Sequence, residues 1–211
     1  MQKKRISLII VNLMALLLFA AMWLSVWLEA SLTEIDQWIS AHMFHLRIEW
    51  LNVVVKGITD MNSFAGAALF SAVVISVFIW KRWYRDIWFY LVVTFGATAL
   101  FAGIKAVVGR MRPDAAIIEA GGFSFPSGHT TMATAMAFAL YFILRKKTKN
   151  REMHALLFVM ALGWSLLIAS TRLYLGVHWF TDVLGGFGLG LWWVTLVELF
   201  WREKQGSAPN E

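Results

Sequence analysis

The stretch "GGFSFPSGHTTMATAMAFAL" (121–140) places a polar turn directly before a long apolar segment. Pro126 suits the first turn of a helix, because the N–H that it lacks would have no partner there. The amides of Ser127, Gly128 and His129 would then lie free at the positive end of the helix dipole, an arrangement that binds anions. Gly128 would also let a ligand approach the backbone closely. The turn is therefore a candidate anion site; the ordinary alternative is a helix N-cap without a ligand.

The composition is that of a membrane protein. Of the 211 residues 59% are hydrophobic and 15% are charged, and the mean hydropathy is +0.64. A soluble domain of this length needs far less apolar material, and here it comes in long runs. The net charge of +6 follows the loops between those runs, so we expect no nucleic-acid partner. The absence of cysteine excludes a disulfide framework and a cysteine-ligated metal.

Six apolar segments reach or nearly reach the roughly 17–25 residues that a membrane-spanning helix needs. They cover about 6–28, 64–80, 87–108, 127–144, 154–173 and 182–201. The first follows a basic start, as a signal peptide would, but its apolar run is too long and no cleavage site follows, so we interpret it as a retained anchor. No repeat or second domain is visible. We predict an all-α polytopic membrane protein with six transmembrane helices in a single domain, 1–211.

Basic residues are concentrated in the loops on one side of these segments. They precede the first segment, join the second to the third and the fourth to the fifth, and follow the sixth; these clusters hold 13 of the 19 Lys and Arg residues. The positive-inside rule assigns this side, with both termini, to the cytoplasm. The loops 109–126 and 174–181 would then face outward from the cell membrane.

The longest outward segment, 31–58, shows helical periodicity. It begins with the capping-box pattern Thr33-x-x-Asp36, and apolar residues then recur at helical spacing. We predict an amphipathic helix on the outer face of the membrane. The alternative left open is a connector that packs on the helix bundle.

Ionisable residues gather at the outward ends of the spans. They are Lys105, Arg110, Arg112, Arg172, His129, His178 and Asp182. A charge at the centre of a membrane helix costs about 2.5–3.5 kcal/mol, and less near the interface, so such residues indicate function. Any one of these charges could belong to a side chain that snorkels to the membrane surface. Snorkelling does not explain well why the whole group lies on one side of the membrane.

The spacing of these residues suggests how they meet. Lys105 and Arg112 are seven apart and share a face if the helix continues that far; Pro113 then turns the chain out of the helix. His178 and Asp182 are four apart, so the carboxylate can accept from Nδ1–H and leave Nε2 facing the site. The alternative for this last pair is an ordinary surface ion pair. Beside the anion-binding turn, this group favours a bound phosphate.

Three motifs make the chain resemble the type 2 phosphatidic acid phosphatase family of lipid phosphatases and phosphotransferases. They are K-x6-RP as "KAVVGRMRP" (105–113), PSGH as "PSGH" (126–129) and SR-x5-H-x3-D as "TRLYLGVHWFTD" (171–182). Their order and spacing match, with Thr171 in place of the usual serine. Residues 1–104 carry no motif and resemble the family only in the layout of the spans.

The resemblance implies a role for each motif residue. His178 would be the nucleophile that forms a phosphohistidine, Asp182 would orient it and stabilise its charge, and His129 would protonate the leaving oxygen and then activate water. The phosphate would be held by Lys105, Arg112, Ser127, Gly128 and Arg172. Fixed cations suit phosphoryl transfer, which depends on positioning and charge stabilisation. Because no carboxylate cluster accompanies the motifs, we expect neither a metal nor another cofactor.

These roles describe an integral membrane phosphatase that acts on a lipid phosphate or diphosphate at the outer face. The motifs define the phosphate chemistry and leave the lipid tail open. Undecaprenyl diphosphate is our first choice of substrate; phosphatidylglycerophosphate and phosphatidic acid are the alternatives. A lipid phosphotransferase with the same site is the alternative activity. A transporter or an inactive scaffold fits less well, because both histidines and the aspartate are present. The oligomeric state does not follow from the sequence.

Overall fold

The computed structural model describes residues 2–28 and 32–206, and the side chains of 5–28 and 34–201. The described part contains helices and no strand, so the all-α prediction is confirmed. The helices are α1 (Gln2–Trp27), α2 (Leu32–His45), α3 (Glu49–Asp60), α4 (Phe64–Trp80), α5 (Tyr84–Val108), α6 (Gly128–Arg145), α7 (Arg151–Tyr174) and α8 (Phe180–Gly206). Each of the apolar segments predicted from the sequence coincides with one of these helices.

Several of the described helices suit a membrane. By length and composition, α1, α5, α7 and α8 can each cross one, and α3 with α4 forms a further candidate that is bent by 50°. Large apolar side chains such as Leu17, Phe95 and Val159 are exposed on the outside of the bundle. Lipid tails are as apolar as these side chains, so their exposure to lipid costs no free energy of hydration. The chain is therefore a membrane protein.

Helix α6 lies in the interior of the bundle. It packs against α5, α7 and α8, and most of its residues from Thr130 to Ile143 are buried. A Cβ at Gly186 of α8 would lie 2.7 Å from the carbonyl oxygen of Ser127. Glycine thus allows α8 to approach the start of α6 closely, and this contact brings the beginnings of the two helices together.

Two helices replace the single outer helix predicted over 31–58. Ile48, between α2 and α3, has an extended backbone. The break directs Arg47 toward the bundle, where it donates to the carbonyl oxygens of Ala115 at 2.7 Å and Tyr174 at 3.0 Å. Both helices pack on α7, and α2 also packs on α8. The connector is therefore part of the bundle, which agrees with the alternative stated above.

The predicted capping box lies partly outside the described residues, because the structure does not describe the side chain of Thr33. Asp36 lies in the first turns of α2, and its carboxylate is directed into the bundle. It accepts hydrogen bonds there from Arg110 and Thr181. The Asp36 side chain therefore ties α2 to residues near the site.

The loop between α5 and α6 differs from the prediction at both ends. Gly109 ends α5 in a left-handed conformation, with φ of 64°. Arg112 therefore lies in the loop. It does not share a helix face with Lys105, which the spacing of seven predicted for a helix that continued that far. At the other end Ser127 is the N-cap of α6. Pro126 thus precedes the helix and does not occupy its first turn.

Candidate active site

A cavity of about 420 Å³ opens where α5 and α7 end and where α6 begins. Six of the eight predicted site residues line it: Lys105, Arg112, Gly128, His129, Arg172 and His178. The other two, Ser127 and Asp182, lie behind its wall and contact the lining residues. We call this space the cationic cavity.

His178 lies between α7 and α8, outside both helices, and is 3% exposed. Its Nδ1 lies 3.4 Å from Oδ2 of Asp182. Because a carboxylate can only accept, the proton is assigned to Nδ1 and the lone pair to Nε2. Burial lowers the pKa of His178 to about 4, against the opposing effect of Asp182. The imidazole is therefore neutral at neutral pH, as a nitrogen nucleophile requires.

Arg112 lies directly against this histidine. Its Nη1 is 3.2 Å from Nε2 of His178 and donates to the carbonyl oxygen of Val177 at 2.6 Å. The rest of the guanidinium donates to the carbonyl oxygens of Gly121 and Gly122. These neutral acceptors fix the orientation of the guanidinium and leave its positive charge uncompensated. A planar fork in this position suits the oxygens of a phosphate.

Lys105 and Arg172 complete the group of cations. Lys105 Nζ donates to the carbonyl oxygens of Phe123 and Ser124. Arg172 is 4% exposed, and its Nη1 donates to the hydroxyl of Thr59 at 2.8 Å, while its Nε has no hydrogen-bond partner. Within the described part of the chain, no carboxylate lies within ion-pair distance of these two cations or of Arg112. A buried charge without a counterion, such as that of Arg172, is unfavourable, so the group is suited to an anion.

The beginning of α6 supplies backbone donors to the same cavity. Gly128 and His129 occupy the first turn, whose amides have no acceptor within the helix. Ser127 is fully buried; its amide donates to the carbonyl oxygen of Asp182 at 3.0 Å, and its hydroxyl accepts from Thr130. The structure thus places the Ser127 side chain as the helix N-cap beneath the cavity. The amides that remain for an anion are those of Gly128 and His129.

Some residues at the site carry no signal in the sequence. Asn62 Nδ2 donates to the carbonyl oxygen of His129 at 2.8 Å, and Asp60 also lines the cavity. Thr59 holds Arg172, as described above. All three come from the end of α3 and the turn after it, which lie far from the motifs in sequence. Arg110 was singled out by its position and not given a role; it bridges Asp182 and a residue of α2.

The described residues include no group of three or more His, Asp or Glu side chains arranged to hold a metal ion. Asp60 and Glu119 line the cationic cavity, and Asp182 lies behind its wall. The carboxylate of Asp182 accepts hydrogen bonds from Arg110 and from the amide of Trp179. The charge stabilisation that the described cavity offers therefore comes from Lys and Arg side chains and from helix amides.

Comparison with known proteins identifies the family. The sequence profile of the PAP2 superfamily matches residues 86–205. Phosphatidylglycerophosphatase B of Bacillus subtilis (strain 168) is 35% identical over 170 residues, covering 78% of this chain and 82% of that protein. Lipid A 4'-phosphatase of Bacteroides thetaiotaomicron is 30% identical over 115 residues, covering 46% of this chain and 48% of that protein.

Solved structures agree. The crystal structure of a transmembrane PAP2 type phosphatidylglycerolphosphate phosphatase from Bacillus subtilis matches with a TM-score of 0.80 at 29% identity and covers 99% of both chains. Aquifex aeolicus LpxE matches with a TM-score of 0.62 at 23% identity, over 78% of this chain and 94% of that one, which is a likeness of fold. On these matches the chain belongs to the PAP2 superfamily, in its bacterial membrane branch, and is a lipid phosphatase.

Proposed function

We propose that the protein removes the terminal phosphate of phosphatidylglycerophosphate at the outer face of the cell membrane, through a phosphohistidine at His178 and without a metal ion. One observation carries this proposal. A neutral, buried histidine, whose Nε2 faces the guanidinium of Arg112 at the wall of the cavity, lies among three cations that have no carboxylate partner in the described chain. Such a site can bind a phosphate monoester and attack it.

The reaction follows from the geometry. Nε2 of His178 forms a bond to phosphorus while the bond from phosphorus to the ester oxygen breaks, and the proton on Nδ1 stays beside Asp182. His129 gives a proton to the departing oxygen and then takes one from the water that attacks the phosphohistidine. That second step releases inorganic phosphate and restores His178. The cations stabilise the phosphoryl oxygens throughout, which is the contribution that a metal makes in other phosphatases.

An apolar cavity supports a lipid substrate. It has a volume of about 480 Å³ and lies between α4, α6 and α7, and its wall includes Leu69, Met136 and Trp164. It shares Asn62 and Ala67 with the cationic cavity. A molecule with a phosphate head and an apolar tail can therefore occupy both spaces at once.

The choice of substrate rests on the relatives. The protein that matches over most of the chain is named for phosphatidylglycerophosphate, and so is the structure that matches over nearly all of it. Neither name supports undecaprenyl diphosphate, our first choice from the sequence, so the comparisons favour the alternative substrate. Phosphatidic acid differs only in what the phosphate is attached to and is the second candidate.

The orientation in the membrane is part of the proposal. The cavity lies at the end of the bundle where α5 ends and α6 begins. The basic loops 81–85 and 145–151 lie at the opposite end, where α4 and α6 end. With six spans and both termini in the cytoplasm, the positive-inside rule puts the cavity outside.

A substrate panel tests this function. Phosphate release by the purified protein in mixed micelles would be compared for phosphatidylglycerophosphate, phosphatidic acid and undecaprenyl diphosphate, with and without EDTA. We expect the highest kcat/KM with phosphatidylglycerophosphate, no inhibition by EDTA, and one phosphate released for each lipid consumed. Faster turnover of undecaprenyl diphosphate would overturn the substrate, and inhibition by EDTA would overturn metal independence. A deficit of phosphate relative to lipid consumed would indicate a phosphotransferase.

A further inference from the structure

Three charged side chains connect α2 to the catalytic histidine. Arg110 donates from Nη2 to Oδ2 of Asp36 and from Nη1 to Oδ1 of Asp182, both at 2.7 Å. The other oxygen of Asp182 faces Nδ1 of His178. The carboxylates are 1% and 0% exposed, and the guanidinium is 15% exposed. The connection is therefore a buried array with charges in the order minus, plus, minus.

Asp36 also holds the first turn of α8. Its Oδ1 accepts from the amide of Thr181 at 2.8 Å, and its Oδ2 accepts from the hydroxyl of Thr181 at 2.7 Å. A carboxylate at a helix N-terminus is stabilising, and here it comes from a residue 145 positions away in the chain. Asp36 thus acts on the residue next to Asp182 as well as on Arg110.

The sum of these charges matters for the reaction. When His178 carries the phosphoryl group on Nε2 and a proton on Nδ1, its ring is positive. Asp182 can stabilise that charge, but Arg110 alone would cancel Asp182. With Asp36 ionised, the array of Asp36, Arg110 and Asp182 keeps a net charge of about −1, and Coulombic effects are strong in such a buried place.

We propose that Asp36 and Arg110 are positioning residues for the hydrolysis: Arg110 fixes the carboxylate of Asp182 against His178, and Asp36 neutralises Arg110 so that the negative charge of Asp182 remains available to the phosphohistidine. This inference rests on the proposed role of His178. It makes α2, which carries none of the recognised motifs, part of the apparatus that supports the chemistry.

A purely structural role for the ion pairs gives different expectations. If Asp36 only ties α2 to the bundle, Asn, which has nearly the same shape, replaces it better than the longer Glu. Removing Arg110 as well should then lower the rate of phosphohistidine formation further. If the charge matters, Glu is the better replacement, and removal of Arg110 compensates for the loss of Asp36 because the array returns to a net charge of about −1.

The test compares the single-turnover rate of phosphohistidine formation, with ³²P-labelled phosphatidylglycerophosphate, in wild type, Asp36→Asn, Asp36→Glu and Asp36→Asn/Arg110→Gln. We expect Asp36→Asn to slow the step at least about tenfold, a change of one power of ten being about 1.4 kcal/mol in the barrier. Asp36→Glu and the double variant should both be faster than Asp36→Asn. The pKa of His178, followed by ¹⁵N NMR, should fall in Asp36→Asn and recover in the double variant; Arg112 and Arg172, the other cations near the ring, are the same in each variant.

A matched control is Glu198→Gln, which removes another buried carboxylate from an ion pair, with Lys146 at the opposite end of the bundle. It should lower the melting temperature and leave the rate of phosphohistidine formation unchanged. The inference fails if Asp36→Asn reacts at least as fast as Asp36→Glu, or if the double variant is no faster than Asp36→Asn. A wild type that forms no phosphohistidine would refute the proposed function itself, which is a separate result.

Discussion

Arg112 holds its Nη1 3.2 Å from Nε2 of His178. The guanidinium therefore donates to the lone pair that attacks phosphorus in the proposed reaction. A phosphate entering the cationic cavity offers this guanidinium stronger, charged acceptors than a neutral imidazole. We therefore expect a bound phosphate to free Nε2 for attack, so that occupancy of the cavity and exposure of the proposed nucleophile are coupled.

Replacement of Arg112 by Lys tests this coupling. Lysine keeps the charge but lacks the planar fork, so it cannot contact His178, the loop carbonyls and a phosphate in the same orientation. We expect kcat/KM for Arg112→Lys to fall roughly 10- to 100-fold, the loss of one charge-assisted hydrogen bond at about 1.5–3 kcal/mol. Steady-state phosphate release measures it.

The matched control for this substitution is Arg85→Lys. Arg85 is exposed in the first turn of α5, at the other end of the bundle, and its replacement should leave kcat/KM at the wild-type value. Equal activities of the two variants would show that the charge of Arg112 is sufficient and that the fork has no part in the reaction.

His129 is expected to serve as acid and base. His129→Ala should reduce kcat by roughly 10²–10⁴-fold, the usual contribution of general acid–base catalysis, while binding of orthovanadate as a phosphate analogue persists. His154→Ala, which removes a histidine at the opposite end of the bundle, provides the control and should be fully active. Loss of vanadate binding together with activity would instead make His129 a phosphate ligand.

Much of this site can be predicted from the sequence because its residues lie in short segments. His178 and Asp182 are joined by one turn of chain, and Gly128 and His129 follow directly on Ser127, so local spacing carries most of their geometry. The loop from Gly109 to Ser127 is harder to predict from the sequence, because a left-handed glycine ends α5 before Arg112 is reached. The seven-residue spacing between Lys105 and Arg112 therefore does not put them on one helix face.

The contacts that cannot be predicted from the sequence are those between segments that are distant in the chain. Asp36 meets Arg110 across 74 positions and Thr181 across 145. Asp36 fits an amphipathic pattern in which a polar residue faces water, and only the packing of α2 on α7 and α8 reveals that it is buried. The contacts of Arg47 with Ala115 and Tyr174 are also between distant segments, and they lie beside a break at Ile48 where the periodicity of 31–58 predicts one continuous helix.

The protonation of His178 has a defined pH dependence. Its pKa is lowered to about 4 by burial, so the ring stays neutral as the pH falls through 6.5, where an ordinary histidine takes up a proton. In a ¹⁵N-histidine NMR titration of the free enzyme, the resonance absent from His178→Asn should keep the chemical shifts of the neutral form at about pH 5. A midpoint near 6.5 would contradict a buried, neutral nucleophile.

The orientation can be tested because the chain has no cysteine. Glu119 lines the cationic cavity and is exposed, whereas Lys149 is exposed in a loop at the opposite end. In intact cells, a membrane-impermeant maleimide should label Glu119→Cys and should label Lys149→Cys only after permeabilisation. The reverse pattern would put the cavity in the cytoplasm.

The most direct measurement of the central claim is a rapid-quench experiment with ³²P-labelled phosphatidylglycerophosphate, followed by peptide mapping of the labelled protein. We predict an acid-labile, alkali-stable phosphoenzyme on the peptide that contains His178, formed before phosphate is released and absent from His178→Asn. Label on any other residue, or full hydrolysis by His178→Asn, would contradict the account.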